Sequence, residues 1–328
     1  MFQRSPLCLA VSIAVASACH TAIAAELEEV VIIGSQDQAR VLPGSGAVVD
    51  NRQLKTEVIT DVNQALKTVP GVYIREEDGS GLRPNIGIRG ATGERSSKIT
   101  LLEDGILMAP APYSEPAAYY FPTMMRMHTL EVLKGAPLLR YGPQTSGGVV
   151  NMVSTPIPEK NSGSLTYSTG AHGSQDMHVN YGGQQQQWSW LLETVQRDSD
   201  GFKNIDRSNQ DSGFAISEYV AKLGWESSEG PEQKLLLKLQ SSNEVSNETY
   251  LGLTDNDFKA DPNRRYGLSS IDQMTNDHTG ISLLFSRALT DKVGSSFTVY
   301  RNNFARDWFK LDGGGAIVAL ANGGDANA

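Results

Sequence analysis

Thiols are almost missing from this chain. Its 328 residues include two cysteines, Cys8 and Cys19, both within the first twenty. With that segment removed, no disulfide, thiolate nucleophile or thiolate ligand remains. Metal-ligand spacing is also lacking: His128, His172, His178 and His278 form no close pair, and His172 and His178 do not share a predicted strand. There is no G-x-S-x-G elbow. Gly44-Ser45-Gly46 has neither the preceding strand nor the following helix of a dinucleotide site. Positive charge is in deficit, with 28 Lys and Arg against 37 Asp and Glu and a formal net charge of -9, which excludes a nucleic-acid footprint. Beyond the N-terminal segment no apolar run reaches the ~18 residues of a membrane helix. Any insertion into a bilayer must therefore be by β-barrel. The expectation is that this is not an enzyme and holds no covalent cofactor and no metal.

What is present begins with an export signal. Arg4 supplies a positive start, residues 7–18 an apolar core, and Ala22-Ile23-Ala24 a small-residue cleavage pattern. The mature chain is expected to begin at Ala25 or Glu26. A lipoprotein reading at Cys19 is weakened by Ala16, where that signal prefers Leu. The 32 glycines and 39% hydrophobic content suit a β-rich protein with many turns, in one large or two modest domains.

Residues 84–105 are the stretch around which the rest of the chain is organised. Ile86 and Ile88, then residues 99–102, flank a polar loop, and Asp104-Gly105 turns the second run back into Ile106-Leu107-Met108. Asp-Gly between apolar runs signals a hairpin, because Gly tolerates positive φ and Asp bonds nearby backbone. Upstream, residues 30–33 (Val-Val-Ile-Ile) read as a strand. They are either the first strand of the domain or an extended segment suited to edge addition on a partner. Residues 41–60 are mixed, with a loop at 43–46. Asp61 caps a short helix whose Val62, Ala65, Leu66 and Val69 share one face, and Pro70-Gly71 ends it. Further strands are expected at 72–75, 130–134 and 147–153. Residues 109–122, with four prolines, three tyrosines and a Phe, cannot build a ladder. They are either a stiff recognition loop or a loop packed under its own aromatics.

From Ser164 the texture becomes repetitive. Segments of about ten residues alternate apolar and polar, as in Tyr219, Ala221, Leu223 and Trp225 against Val220, Lys222 and Gly224. Seven strands are expected near 163–171, 175–183, 186–196, 214–225, 233–243, 279–288 and 293–305. The connections near 182–186, 226–232 and 290–294 are short, whereas 197–213 and 243–277 are long and acidic. Short turns alternating with long loops are the pattern of outer-membrane barrels. Trp188, Trp190 and Trp225 suit an aromatic girdle. A β-sandwich would also alternate.

These residues resemble a family. DVNQALKTVPGV, NIGIRG, ITLLEDG, LEVLKGAPLLRYGP and GGVVNMVS come in succession, within residues 61–158, as in the plug of TonB-dependent outer-membrane receptors. APAPYSEPAAYYFP and SNETYLGLTDNDFKADPNRRY are similar to the ferric dicitrate branch. The resemblance covers about residues 28–310. It implies an α+β plug followed by the first seven or so strands of an incomplete antiparallel barrel of about 22 strands. Seven strands cannot close such a cylinder, so a piece of a larger receptor is expected. The implied division is a signal peptide at 1–24, a TonB box and linker at 25–40, the plug at 41–158 and partial barrel at 159–328. Glu29, Val30, Val31, Ile32, Ile33 and Gly34 resemble the TonB box.

The implied function is uptake of a ferric chelate, ferric citrate or a siderophore, across the outer membrane of a Gram-negative bacterium. Energy would come from strand pairing of the box with TonB and its ExbB and ExbD partners. Outer-membrane lipid is the other implied partner, and nucleic acid is not one. The short stretch before the box argues for uptake alone rather than for transcriptional signalling. Arg95, Ser96, Tyr113, Ser114 and Tyr119, with Arg264 and Arg265 in the long loop, are the candidate contacts to an anionic chelate, since guanidinium pairs suit its oxygens. Arg89 and Lys134 are candidate plug–barrel contacts. The alternative is a secreted or surface β-protein that binds a partner without transport.

Overall fold

A computed structural model of the chain describes residues 31–42, 44–108, 119–135, 147–290 and 293–311. The first part is built on a five-stranded sheet, in the order β1 (Ser45–Val49), β6 (Met127–Lys134), β7 (Gly148–Ser154), β4 (Ile99–Glu103) and β5 (Ile106–Leu107). β2 (Val72–Arg75) and β3 (Asn85–Ile88) form a separate antiparallel pair. Helices α1 (Gln36–Val41), α2 (Asn51–Thr56) and α3 (Val62–Lys67) are each capped by a side chain, Ser35, Asp50 and Asp61 respectively.

Both faces of this sheet are covered, so its strands are apolar on both sides. Leu130, Val132, Val150 and Met152 point to a core shared with Val62, Ala65, Leu66 and Val69 of the capped helix and its C-terminal turn. The alternate residues Leu133, Val149 and Leu102 point to a second cluster, closed by Ile33 and Ala39 from the N-terminal segment. The Asp-Gly turn forms as expected. Asp104 and Gly105 both take positive φ, 51° and 72°, and Glu103 pairs with Ile106.

The second part is a seven-stranded antiparallel sheet, each strand hydrogen-bonded to its sequence neighbour in that sheet: β8 (Ser162–Thr169), β9 (Gln175–Gln185), β10 (Trp188–Ser199), β12 (Phe214–Glu226), β13 (Gln233–Asn247), β15 (Gln273–Thr290) and β16 (Val293–Phe309). All seven expected strands are present. Several run further toward the long-loop end than their alternation suggested, since polar residues there continue the ladder. The two long connections are joined by β11 (Asn204–Ile205) and β14 (Arg264–Arg265), paired in parallel. A fourth helix, α4 (Asp255–Ala260), lies in the second connection.

Burial across this wall is inverted relative to a β-sandwich. Leu192, Tyr219, Leu239, Ile281, Phe297 and Val299 are exposed, while Glu193, Glu218, Lys222 and Lys238 are buried. An apolar outside and a charged inside are what a bilayer-embedded wall requires. Trp188 and Trp225 face each other across β10 and β12 at the short-turn end, beside an edge-on Tyr181–Trp190 pair. That places all three tryptophans at one rim, as a girdle demands. Among the described residues the wall is not closed, and no helix is long and apolar enough to cross a membrane.

Two expectations from the sequence need correction. Residues 31–34 are not a strand of any sheet; the first strand is Ser45–Val49, in a stretch that carries no clean alternation. Residues 51–56, read as part of a mixed segment, are helical because Asp50 caps them and Leu54 reaches the core.

Candidate functional site

Three features stand out: an ion cluster between the N-terminal unit and the wall, the N-terminal segment, and a cation–aromatic cluster at the long-loop end. The first is a buried ion cluster. Arg126, 1% exposed, ends a short 3-10 turn that aims it between sheet and wall. Its Nη1 donates to Glu103 Oε1 at 2.5 Å, its Nη2 to Glu103 Oε2 and Tyr120 Oη at 3.2 Å each, and its Nε to Glu218 of the wall. Glu218 also accepts from the Thr123 amide and hydroxyl at 3.1 and 2.9 Å. Lys238 of the wall donates to Glu103 and Asp104 at 2.5 Å each. Lys222 donates to Ser154 Oγ and Thr155 O at 2.7 Å each. Higher up, Arg83 pairs with Glu244 and bonds Ser246 Oγ at 3.0 Å. A buried charge is tolerated only when paired, and Arg126, Arg83, Lys238 and Lys222 each stand against a carboxylate across the interface.

Burial alone would raise the pKa of Glu103, but Arg126 and then Lys238 reverse this and hold it down to about 2. Asp104 is likewise held low, by Lys238 and Lys222 against its burial. A depressed carboxylate adds stability that is complete above its unfolded pKa and lost as pH falls through the folded one. The seating is therefore expected to be unchanged from pH 7 to 5 and to weaken only as the pH falls from about 4 toward 2. Ion conductance of the full-length protein in planar bilayers, monitored against pH, checks this; leakage already at pH 5 contradicts it.

The second feature is the N-terminal segment. The amides of Ile32, Ile33 and Gly34 all donate to the Glu131 carboxylate, at 2.9, 2.9 and 2.8 Å. Val31 makes no such bond; Glu29 and Val30 lie outside the described residues. Lys134 donates from Nζ to Pro70 O at 2.6 Å, and Arg89 sits at positive φ near Gly135. Both contacts are within the N-terminal unit.

The third feature lies at the long-loop end. Arg95, at φ 50°, is held through its amide by Asn85 Oδ1 and through its guanidinium by Glu77, both at 2.8 Å. The guanidinium carbon is 5.1 Å from the Trp308 ring centroid and 6.0 Å from that of Tyr119. Arg306 lies over Tyr119 at 3.9 Å, and Lys310 over Tyr250 at 3.7 Å and Trp308 at 4.4 Å. Three cations thus stand on three aromatic rings, distances at which cation–π attraction operates. Arg306 Nη1 and Trp308 Nε1 are shielded from solvent without a hydrogen-bond acceptor among the described residues. Beside the cluster a cavity of about 370 Å³ is lined by Arg75, Glu77, Arg95, Lys203 and Tyr250, among others.

So the structure sets two of the candidate residues, Arg95 and Tyr119, side by side, with Tyr250, Arg306, Trp308 and Lys310 around them. The alternation of Arg306, Trp308 and Lys310 at the end of an expected strand was the available signal. Ser96 is fully buried; its hydroxyl accepts from the Ile86 amide and donates to Pro84 O, so it braces the loop from beneath. Arg264 is held by Asp206 and Asp257 and so ties the two long loops together, whereas Arg265 donates to Pro262 O and Arg264 O within its own loop. Tyr113 and Ser114 lie outside the described residues.

Comparison with known proteins agrees with this architecture. Residues 38–149 match the TonB-dependent receptor plug domain. An iron-regulated outer membrane virulence protein of Vibrio cholerae serotype O1 is 27% identical over 179 residues, 51% of this chain and 26% of that protein. The ferric citrate transporter FecA in its unliganded form superposes with a TM-score of 0.74 at 21% identity, over 90% of this chain and 44% of FecA. The ferric yersiniabactin uptake receptor FyuA of Yersinia pestis gives 0.69 at 18%, over 82% and 42%. The chain thus spans about a quarter of the curated relative and less than half of either solved receptor. Residues 38–149 thus match the plug domain of TonB-dependent receptors, and the plug with its charged-inside wall has the fold of the solved outer-membrane receptors.

Proposed function

We propose that this chain is the ligand-facing and energy-coupled N-terminal part of a receptor that imports an anionic ferric chelate, ferric citrate or a siderophore, driven by TonB. In this reading residues 1–24 are the leader, 25–40 the coupling segment, 41–158 the plug and 159–328 part of the wall. The observation that carries it is the cluster of Arg95, Arg306 and Lys310 on Tyr119, Trp308 and Tyr250. It lies at the long-loop end, above the plug, with a guanidinium N–H and an indole N–H lacking acceptors among the described residues. An oxygen-rich anion supplies those acceptors. The chelate family names of FecA and FyuA agree with it. A surface protein that binds without transport has against it the exposed apolar wall and its charged interior.

In the full-length receptor, Arg306→Ala is expected to weaken ferric chelate binding by about tenfold or more, the worth of one charge-assisted bond. Quenching of tryptophan fluorescence during titration with ferric citrate and with a ferric siderophore measures it. Unchanged affinity for every chelate that the wild type binds defeats this reading of the site.

A further inference from the structure

We infer that Glu131 is a clasp that holds the N-terminal coupling segment and passes a pull on it to the turn seated against the wall; this rests on the energy-coupled reading above. Glu131 lies on β6, fully buried, on the sheet face otherwise formed by Val48, Leu102, Leu133 and Val149. A carboxylate on such a face is costly unless every lone pair is used. Here it is satisfied: Oε1 accepts from the amides of Ile33 and Gly34, and Oε2 from the amide of Ile32 and from Asn151 Nδ2 at 2.8 Å.

Three successive amides reach one carboxylate only if the backbone curls around it, as in an anion-binding nest. Gly34 makes the curl possible with φ +83°, where a Cβ would also lie 2.3 Å from Gln38 Oε1. The segment is therefore shaped to the carboxylate, rather than lying as a ladder strand whose next partner is free to pair.

The bonds continue past Glu131. Asn151 stands opposite it on β7, and its Oδ1 accepts from the Gly105 amide at 2.9 Å. The neighbouring Asp104 is the carboxylate that Lys238 of the wall holds, with Ser154 closing its other contacts at 2.8 and 2.5 Å. Two side chains, Glu131 and Asn151, thus span the distance from the segment to the turn whose charge meets the wall. A force applied upstream of Ile32 first loads three charge-assisted bonds. Through Asn151 it then loads the Asp104-Gly105 turn, before the apolar contacts of Ile33 and Ala39 open. Glu131 is in this sense a positioning residue: it touches no chelate, and it sets where the segment rests and what moves when it is pulled.

The test uses the full-length receptor in liposomes with a nitroxide on Val31→Cys, a label free of competition from this part of the chain because its only other thiols, Cys8 and Cys19, lie in the leader. Glu131→Gln replaces an all-acceptor group by one that presents an N–H to the amides. Without chelate or TonB, it is expected to raise the mobile fraction of the label about tenfold or more. Chelate affinity should stay within about twofold, since Glu131 is absent from the cation–aromatic cluster. A residue that only braces the sheet lowers thermal stability and leaves the label immobile; that result overturns the clasp. Should the Glu131→Gln receptor fail to fold, Ile32→Pro removes one donor while the amides of Ile33 and Gly34 and Asn151 Nδ2 still hold the carboxylate, and an immobile label there overturns the clasp equally. Neither spectrum depends on transport, so an immobile label leaves the proposed function standing. Loss of chelate binding by the wild type sinks that function and leaves the clasp.

Discussion

The Arg126→Met receptor is expected to lose the seating of its plug, at a cost on the order of 3–5 kcal/mol, the usual penalty for stripping a buried carboxylate of its partner. The residue at risk is Glu218 rather than Glu103. Glu103 retains Lys238, whereas among the described residues Glu218 keeps only the two Thr123 donors. Adding Glu218→Gln to Arg126→Met is therefore expected to recover a large part of the loss, a coupling that a double-mutant cycle isolates. Arg126→Lys should not rescue, because one ammonium cannot reproduce the fork that bonds Glu103, Tyr120 and Glu218 together. Pore conductance of the full-length receptor and denaturant unfolding provide the readouts. A non-leaking Arg126→Met receptor of wild-type stability would show that the ion cluster does not seat the plug.

Val31→Pro should abolish uptake, by at least about 100-fold, while chelate binding stays intact. Proline removes an amide from any strand added to a partner's edge. The structure makes this position informative, because the Val31 amide is not among those held by Glu131. The substitution leaves the clasp bonds in place and strikes only the pairing with the partner. Iron uptake with the chelate as sole iron source, beside a binding titration, measures the split. Normal growth would mean that energy coupling does not use a ladder through residue 31.

Much of the fold was legible from residues alone. The wall strands show in alternation such as Tyr219 to Trp225, since period two survives wherever two faces meet different surroundings. The Asp104-Gly105 hairpin and the Asp61-capped helix were readable because their signals are local: a positive φ, a side chain on its own helix terminus. What could not be read depends on distant neighbours. Ser45–Val49 is a strand because β6 offers it an edge, not because its own sequence alternates. Residues 31–34, four β-branched or small residues in a row, look like a strand and are none, because Glu131, about a hundred residues away, captures the amides of Ile32, Ile33 and Gly34. Arg264 and Ser96 carried the chemistry of a ligand contact, and only packing showed that Asp206 and Asp257 hold the one and plug backbone the other.

By itself, then, the chain's order of residues determined that apolar and polar positions alternate along seven wall strands, where the Asp61-capped helix begins, and that this stretch offers no thiol beyond Cys8 and Cys19. Which side of the wall is charged, which arginine is spent on a carboxylate and which stands over an aromatic ring were decided by the tertiary structure. The reason is that an alternating strand specifies two faces but not their surroundings. It takes a plug on one side, carrying Arg126, Arg83 and Glu103, to make the charged face the inner one.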